Sequence, residues 1–302
     1  MRITNSLMSQ SFLSNLNNNM TNVYKYQEQL SSMKQVSRPS DDPLKVSKII
    51  DFKNEIKQNQ TYKTTISDAI DFTNVQDAAL DNATKSLQRI YTLTQQAANG
   101  TYNTQDRQAI KTEIDNEVET LVDSLNTSFG GRYIFAGHNN TEKPFSIERD
   151  GEGNLTDIHY NGSAHNTSKE ISRGVTVDLQ TDGSILMNKR GDEDLGTVLS
   201  GLFTALDNDD TEALSTALGK IDQAMNNTVN TRTRIGAIQN RLTAASDRNE
   251  AEYLNLETTL SNNQDIDLAE TYMNYSMEMV AYQASLNMGT RILQTNILDY
   301  VR

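Results

Sequence analysis

The chain contains no cysteine and no tryptophan, and only 3 prolines and 15 glycines among 302 residues. Without thiols there is no disulfide framework, no thiolate metal site and no thiol redox chemistry. Zero cysteine by itself leaves either redox compartment open. Long apolar runs are missing too: no stretch approaches the length needed to cross a bilayer, so no membrane insertion is expected. The opening Met1-Arg2-Ile3-Thr4-Asn5-Ser6 lacks the apolar core of a secretory signal. Export, if it occurs, is expected by another route. With 36% hydrophobic residues and a mean hydropathy of −0.62, the chain is short of the apolar mass of one compact enzyme core. Extended helical architecture in two or three domains fits better.

Positive charge is also scarce. The net charge is −13 and the pI about 4.7, which excludes general nucleic-acid binding, because phosphate neutralisation needs clustered Lys and Arg. Residues 1–100 hold 11 Lys+Arg and 9 Asp+Glu, a surplus of two positive charges, so residues 101–302 carry −15. The terminal segments differ in sign: Arg2, Lys25, Lys34 and Arg38 against Glu28 at the front, and Asp265, Asp267, Glu270, Glu278 and Asp299 against Arg291 and Arg302 at the rear. Opposite signs favour their meeting, although exposed pairs steer more than they stabilise.

What the sequence does contain is periodicity. Leu268, Tyr272, Tyr275, Met279, Tyr282, Leu286, Gly289, Leu293, Asn296 and Tyr300 keep an unbroken 4-3 spacing, with Ile297 beside it. Leu13, Leu16, Met20, Val23, Gln27 and Leu30 repeat the pattern near the start. Each end reads as a helix with a narrow apolar seam on an Asn-, Ser-, Thr- and Gln-rich background, too little to hold an isolated helix and suited to pairing, within and between molecules. These residues are the candidate assembly interface.

The first helix should stop before Arg38-Pro39, because the residue before proline is pushed out of the helical region, and Pro43 repeats the restriction on Asp42. Arg38, Pro39, Asp41, Asp42 and Pro43 form the candidate connector, with Asp42 as N-cap and Pro43 at the first helical position. A long helix follows through Val46, Ile49, Ile56, Ile66, Ile70, Ala83, Leu87 and Ile90 to Asn99-Gly100. A third, from Thr104 through Ile110, Ile114, Val118, Leu121 and Leu125, stops at Gly130-Gly131 and makes an antiparallel hairpin with it.

From residue 131 the period shortens. Tyr133-Ile134-Phe135, Phe145 and Ile147, Leu155, Ile158 and Tyr160, and Val175, Val177 and Leu179 are split by the turn signals Asp150-Gly151, Asn161-Gly162 and Asp182-Gly183. Helical spacing returns at Leu195, Val198, Leu199, Leu202 and Leu206, then Asp209 and Glu212 resemble a capping box before Ile235, Ile238, Leu242, Tyr253, Leu256 and Leu260. The predicted fold is mainly α: an elongated antiparallel helical bundle or coiled coil built from the N- and C-terminal segments, with a small antiparallel β domain inserted at the far tip. The expected divisions are terminal segments 1–40 and 265–302, a helical rod of 41–130 and 192–264, and a β insertion of 131–191.

Motifs of catalysis are few. His138, His159 and His165 all fall in the β insertion and make a metal or acid–base site the sharpest enzymatic reading, but no ligand spacing such as His-Glu-x-x-His accompanies them. An active site there would need a pocket, and the insertion offers little apolar material to enclose one. The Asp-rich stretches Asp178 to Gly183, Gly191 to Asp194 and Asn208 to Asp210 lack the spaced ligands of an EF-hand and read as turns and caps. Met273, Met277 and Met279 read as flexible packing rather than a soft-metal stripe. No cofactor and no catalytic residue are assigned.

Three ordered motifs carry a family resemblance. Arg38-Pro39-Ser40-Asp41-Asp42-Pro43 after a polar first helix, Gly130-Gly131-Arg132-Tyr133-Ile134-Phe135-Ala136-Gly137 leading to Pro144-Phe145, and Arg291-Ile292-Leu293-Gln294-Thr295-Asn296-Ile297-Leu298-Asp299-Tyr300 resemble the bacterial flagellin family. The pattern is most like members that sit at the hook–filament junction, the filament subunit being the alternative. The resemblance covers both ends and the inner helices and leaves the β insertion aside. It implies an extracellular, non-enzymatic flagellar subunit whose terminal helices form inner coiled-coil layers. It further implies a homo-oligomeric ring between the first hook-associated protein and flagellin, with delivery by an export chaperone and the flagellar type III apparatus. Leu44-Lys45-Val46 depart from the small residues commoner after that connector.

Overall fold

The computed structural model describes residues 2–99, 102–151, 153–187 and 194–298, and the side chains of residues 7–290 within those ranges. Contacts group the chain into two compact units, Met1–Gln58 with Glu252–Arg302, and Asn59–Ala251. The elements in order are α1 (Arg2–Ser32), α2 (Pro43–Ala97), α3 (Thr104–Leu125), β1 (Ser128–Phe129), β2 (Arg132–Tyr133), β3 (Phe145–Arg149), β4 (Leu155–Tyr160), β5 (Thr167–Ser172), β6 (Val175–Leu179), a 3-10 turn (Gly183–Ile185), α4 (Leu195–Asp207), α5 (Thr211–Gln264) and α6 (Leu268–Leu298). The protein is a helical bundle with a small β region.

The Asn59–Ala251 unit holds one large core and a smaller one. Leu80, Leu87, Ile90 and Leu93 of α2, Ile114, Val118 and Leu121 of α3, Leu199, Leu202 and Leu206 of α4, and Ile221 and Ile235 of α5 belong to the large one. The helical spacing read from the sequence therefore selects the buried stripe of each of these helices. The side chains of α3 and α4 named from that spacing are all buried. α3 opens with a capping box between Asn103 and Asp106, a start signal that an Asn-rich sequence hides among many similar residues. The α3 terminus is tied down further by Arg107, which donates from Nε to the Ala97 carbonyl at 3.0 Å and from a guanidinium nitrogen to Asp209 at 2.8 Å. The Arg107 hydrogen bond, then that of Thr104, holds the Asp209 carboxyl below its ordinary range.

Two boundaries differ from the sequence reading by a physical cause. α3 ends at Leu125 with Asn126 as C-cap, and Gly130-Gly131 instead form the two-residue turn of β1–β2, with φ of 58° and 77°. Both central residues of such a turn need positive φ, which glycine supplies without strain. The cap of α5 is Asp210, whose Oδ1 accepts the amides of Glu212 and Ala213 at 3.1 and 3.0 Å. Asp209 adopts φ 55° and turns toward Arg107.

The strands form three separate antiparallel hairpins, β1–β2, β3–β4 and β5–β6. Asp150-Gly151 lies in the β3–β4 turn, where the Asp150 amide donates to the Asn154 carbonyl at 3.0 Å. Asn161-Gly162 and Asp182-Gly183 do not join paired strands: the first follows β4, and in the second Asp182 caps the 3-10 turn. β5, Thr-Ser-Lys-Glu-Ile-Ser, carries no apolar alternation to mark it as a strand. It is held by pairing with β6 and by a small core in which Ile171, Val177 and Leu179 meet Ile66 and Ala69 of α2 and Leu242 and Ala245 of α5.

Polar groups fasten these layers. Gln76 of α2, fully buried, donates to the carbonyls of Ile134 and Gln180 at 3.3 and 2.7 Å. Asn126 pairs with both backbone groups of Phe145. Tyr160 sets its hydroxyl 3.1 Å from the carbonyls of Phe135 and Ser163 and accepts the Gly183 amide at 3.1 Å. Where α2 and α5 run antiparallel, Asn59 and Asn249 each donate to the other's backbone carbonyl at 3.1 Å, and both are buried. A buried amide pair is satisfied only in one alignment of two helices, so it fixes register.

Two outcomes follow for this unit. Asn59→Ala should cost about 1 kcal/mol in urea unfolding, because it removes the buried hydrogen bond from the Asn59 amide to the Asn249 backbone carbonyl, whereas Asn59→Leu with Asn249→Leu should recover the loss; a single variant as stable as the parent would remove the register role. Burial, foremost, pushes the Tyr160 hydroxyl up to about 12. Because the folded state then holds the proton more tightly than the unfolded chain, that contribution is complete below about pH 10 and disappears as pH climbs toward 12. Tyrosinate absorbance should show one late-titrating tyrosine, absent in Tyr160→Phe, and a flat, single titration in the parent would contradict it.

Candidate assembly surface

The connector is assembled from short-range hydrogen bonds. Asp41 donates its amide to the Arg38 carbonyl at 3.1 Å, and its carboxylate accepts the Arg38 amide at 3.3 Å. Asp42 caps α2, its Oδ1 receiving the Lys45 amide at 3.0 Å, and Pro43 is the first helical residue, where its missing N–H costs nothing. Pro39 and Asp41 are exposed. Arg38 reaches Glu28 at 3.5 Å, but both side chains are well exposed, so the pair adds little. The segment after α1 is fastened to the segment before α6: Gln35 donates to the Gln264 carbonyl at 2.8 Å, Ile266 to that of Met33 at 3.4 Å, and the backbones of Lys34 and Asp265 pair as an isolated antiparallel β-bridge. Asp267 then caps α6 by accepting the amides of Ala269 and Glu270 at 2.9 and 3.1 Å.

These ties set α1 and α6 side by side and antiparallel. Asn19 donates to the Ser285 hydroxyl at 3.0 Å and Asn22 to Glu278 at 3.3 Å. The ring of Phe12 rests on Gly289, where an added Cβ would lie 2.5 Å from Phe12 Cζ. The covered column on α1 is Phe12, Leu16, Asn19, Val23, Tyr26 and Leu30, and on α6 it is Thr271, Tyr275, Glu278, Tyr282, Ser285 and Gly289. Six of the thirteen seam positions with described side chains lie in these columns: Leu16, Val23, Leu30, Tyr275, Tyr282 and Gly289. The alternate positions shift by one residue, Phe12, Asn19 and Tyr26 taking the inward places assigned to Leu13, Met20 and Gln27, and Thr271, Glu278 and Ser285 those assigned to Tyr272, Met279 and Leu286. The cause is steric and polar: a bare glycine, a serine and an asparagine let the two backbones approach and hydrogen-bond where larger apolar groups would hold them apart.

The displaced apolar residues face away from the partner helix. Leu13 is 53% exposed, Leu268 54%, Tyr272 63% and Leu286 42%. Met20 is also exposed, and Met279 is half-buried. Leu293 and Ile297 lie on α6 beyond the described side chains, and Tyr300 lies outside the described residues. Of the 20 large hydrophobic side chains that stand exposed among the described residues, 16 belong to the unit of the two termini. Scattered exposed apolar residues are ordinary, but twelve of these 16 lie on α1 and α6, which makes the two helices a candidate contact surface. Its rims differ in charge, Lys25, Lys34 and Arg38 lying on and just after α1, and Asp265, Asp267, Glu270 and Glu278 along α6.

The histidines are divided between two places. His159 sits between Glu148 and Asp157, at 2.7 and 3.4 Å, while the His138 and His165 rings lie 5.7 Å apart. Among the described residues no group of three or more His, Cys, Asp or Glu is placed to hold a metal. An open groove of about 400 Å³ does exist beside the β region, walled by Phe72, Phe129, Tyr133 and Lys169, and no histidine lines it. It draws one wall from α2, which the composition of the insertion alone did not suggest. Asp182, Asp194 and Asp210 serve as caps. Among the described residues no helix is long and apolar enough to cross a membrane.

Comparison with known proteins agrees with this arrangement. The bacterial flagellin N-terminal helical region matches residues 3–140 and the C-terminal helical region matches residues 218–301, together well over half of the chain. Flagellar hook-associated protein 3 of Escherichia coli is 27% identical over 308 residues, covering 94% of this chain and 95% of that protein. The flagellar filament 33 kDa core protein of Treponema phagedenis is 26% identical over 278 residues, covering 90% and 89%. A solved structure of flagellar hook associated protein-3 from Legionella pneumophila covers 70% of this chain and 97% of its own with a TM-score of 0.61, a likeness of fold at 15% identity. With both helical regions matched in order, and the paired termini they describe present in the structure, the chain belongs to the bacterial flagellin family.

Proposed function

We propose that this chain is a structural adaptor of the flagellum, without catalytic activity, that joins the hook, through the first hook-associated protein, to the flagellin filament. The observation that carries the proposal is the terminal pair of helices, whose mutual seam mixes apolar with small and polar residues while further large apolar side chains stand exposed on both helices. Such a pair gains most of its association free energy from other molecules, on the order of 1.5–3 kcal/mol for each large side chain fully buried. The rim charges orient more than they bind. Leu13, Met20, Leu268, Tyr272, Met279 and Leu286 are the proposed intermolecular contacts, Leu293, Ile297 and Tyr300 being assigned to the same surface by spacing alone. Leu16, Val23, Leu30, Tyr275 and Tyr282 hold the pair together, and the connector from Arg38 to Pro43 sets the approach of α2.

The faces offered by α1 and α6 differ, so copies would meet heterologously, in a ring if the rotation closes and in an open helix if it does not. The ring is the proposed state. The subunit is proposed to act outside the cell, after passage in unfolded form through the type III apparatus with an export chaperone. The similarity to hook-associated protein 3 along nearly the whole of both chains supports the junction reading. The filament relative matched over 90% of the chain keeps one second reading in play, the filament subunit itself.

A deletion strain separates the two: detached, full-length flagellin in the medium is expected for a junction, and loss of flagellin for a filament subunit. In the complemented strain Leu286→Asp should abolish attachment of filaments, while Glu270→Gln should leave it nearly intact. Because Leu286 is 42% exposed, purified Leu286→Asp should retain the parent's helix content. Normal motility with attached filaments in that strain would sink the assembly role of this face.

A further inference from the structure

A second apolar column runs along α6 where α1 does not cover it. Met273, Met277, Val280, Ala284 and Met288 recur at four, three, four and four residues with no charged side chain among them. Met273 is 55% exposed, Met277 59%, Val280 65% and Met288 66%. Eight of the ten methionines lie in residues 1–33 and 273–288, and there is no cysteine, so thioethers are the only side-chain sulfur the chain offers to an oxidant. Met187, inside the other unit, is fully buried.

We propose that Met273, Met277 and Met288 form an oxidation-sensitive contact face: sulfoxidation of these thioethers by a two-electron oxidant of the peroxide class blocks docking of a second copy while leaving both units folded. The inference rests on the assembly role argued above. The occupant is a second copy through its α1, because α1 and its following turn carry Lys25, Lys34 and Arg38 against the single Glu28, whereas residues 265–290 carry Asp265, Asp267, Glu270 and Glu278 with no Lys or Arg. In the chemical step the sulfur lone pair attacks one peroxide oxygen and the S–O bond forms as the O–O bond breaks. The second oxygen leaves as hydroxide and is protonated to water; sulfur loses two electrons and the peroxide gains them. The product is a polar sulfoxide on a surface whose value lies in leaving water. A strong acceptor buried there without a donor is penalised, and a flexible apolar filler has become a rigidly solvated group.

The test uses the full purified chain, hydrogen peroxide and peptide mass mapping, with copy–copy association read by sedimentation. Sulfoxide is expected at Met273, Met277 and Met288 well before Met187. Association should fall by at least about tenfold, with helix content unchanged, and methionine sulfoxide reductase should restore it. The variant Met273→Leu/Met277→Leu/Met288→Leu, compared with its own untreated association, should lose clearly less to peroxide than the parent loses, with Met20 and Met279 of the same surface still open to oxidation. Undiminished association of the fully sulfoxidised parent, or equal sensitivity of the triple-leucine variant, overturns the proposal. Failure of the untreated parent to associate at all would instead count against the ring reading on which it depends.

Discussion

Two long helices can approach closely only if something small lies between them, and in the terminal pair that requirement decides everything else. Gly289 receives the face of Phe12, and Asn19 meets Ser285. Around these small and hydrogen-bonding positions Leu16, Val23, Leu30, Tyr275 and Tyr282 complete the covered columns, and further large side chains of the two helices stand exposed. Leu13, Tyr272 and Leu286 are turned outward because the neighbouring columns are already taken. Burying one leucine contributes more than an exposed ion pair does, so the stronger part of the interaction energy faces away from the molecule.

The unit from Asn59 to Ala251 follows the opposite rule. Its large aliphatic side chains close on one another, and its polar interior groups are committed to named partners: Gln76 to two carbonyls, Asn59 and Asn249 to each other, Arg107 to Ala97 and Asp209. Arg232 adds a fork across Asp77 and Asp81, and the Asp77 hydrogen bond comes first among the groups that raise its pKa and keep it charged. The donors of Asn59, Gln76 and Asn249 are paired while their side-chain oxygens are buried without a partner, so these groups restrict alternatives more than they add stability. Long helices with repetitive Thr, Asn and Gln could slide by a turn at small cost in apolar contact. The amide pair and the arginine fork each oppose that slip by leaving a polar group unsatisfied.

Much of this was legible before any coordinates, and the failures share a cause. Spacing located the buried stripes of α3 and α4, and chain stiffness around Pro39 and Pro43 gave the connector and the Asp42 cap. Those signals arise within a few residues. The seam is legible as a period, and the structure divides it between residues that face the other terminal helix, such as Leu16 and Tyr275, and residues that stand exposed, such as Leu13 and Tyr272, because apolarity marks a stripe but not which of two adjacent stripes faces a helix hundreds of residues away. The sequence marks Asp209 as the cap of α5 and the structure uses Asp210, because a linear pattern does not show that Arg107 claims Asp209. β5 escaped because its partner strand and the α2–α5 surface supply the apolar contacts that Thr-Ser-Lys-Glu-Ile-Ser lacks. Gly130-Gly131 signalled a turn correctly, but helix termination and hairpin reversal use the same residue for the same positive φ.

Methionine gives the outward surface its character. A subunit proposed to stand between two unlike neighbours cannot fit both with rigid, interlocking side chains, since a shape cut for one would leave gaps against the other. Unbranched thioethers at Met273, Met277 and Met288 can change rotamer and fill either outline, and the absence of tryptophan removes the most rigid anchor from the whole chain. Adaptability of this kind surrenders specificity, which the molecule recovers elsewhere: the polar seam fixes how α1 lies on α6, and the charged rims favour α1 of one copy over α6 as a neighbour for α6. Specificity and affinity are thus carried by different side chains of the same two helices. Exposed thioethers are the chemical cost of that division, because the atoms that make the surface forgiving are also the ones an oxidant reaches first.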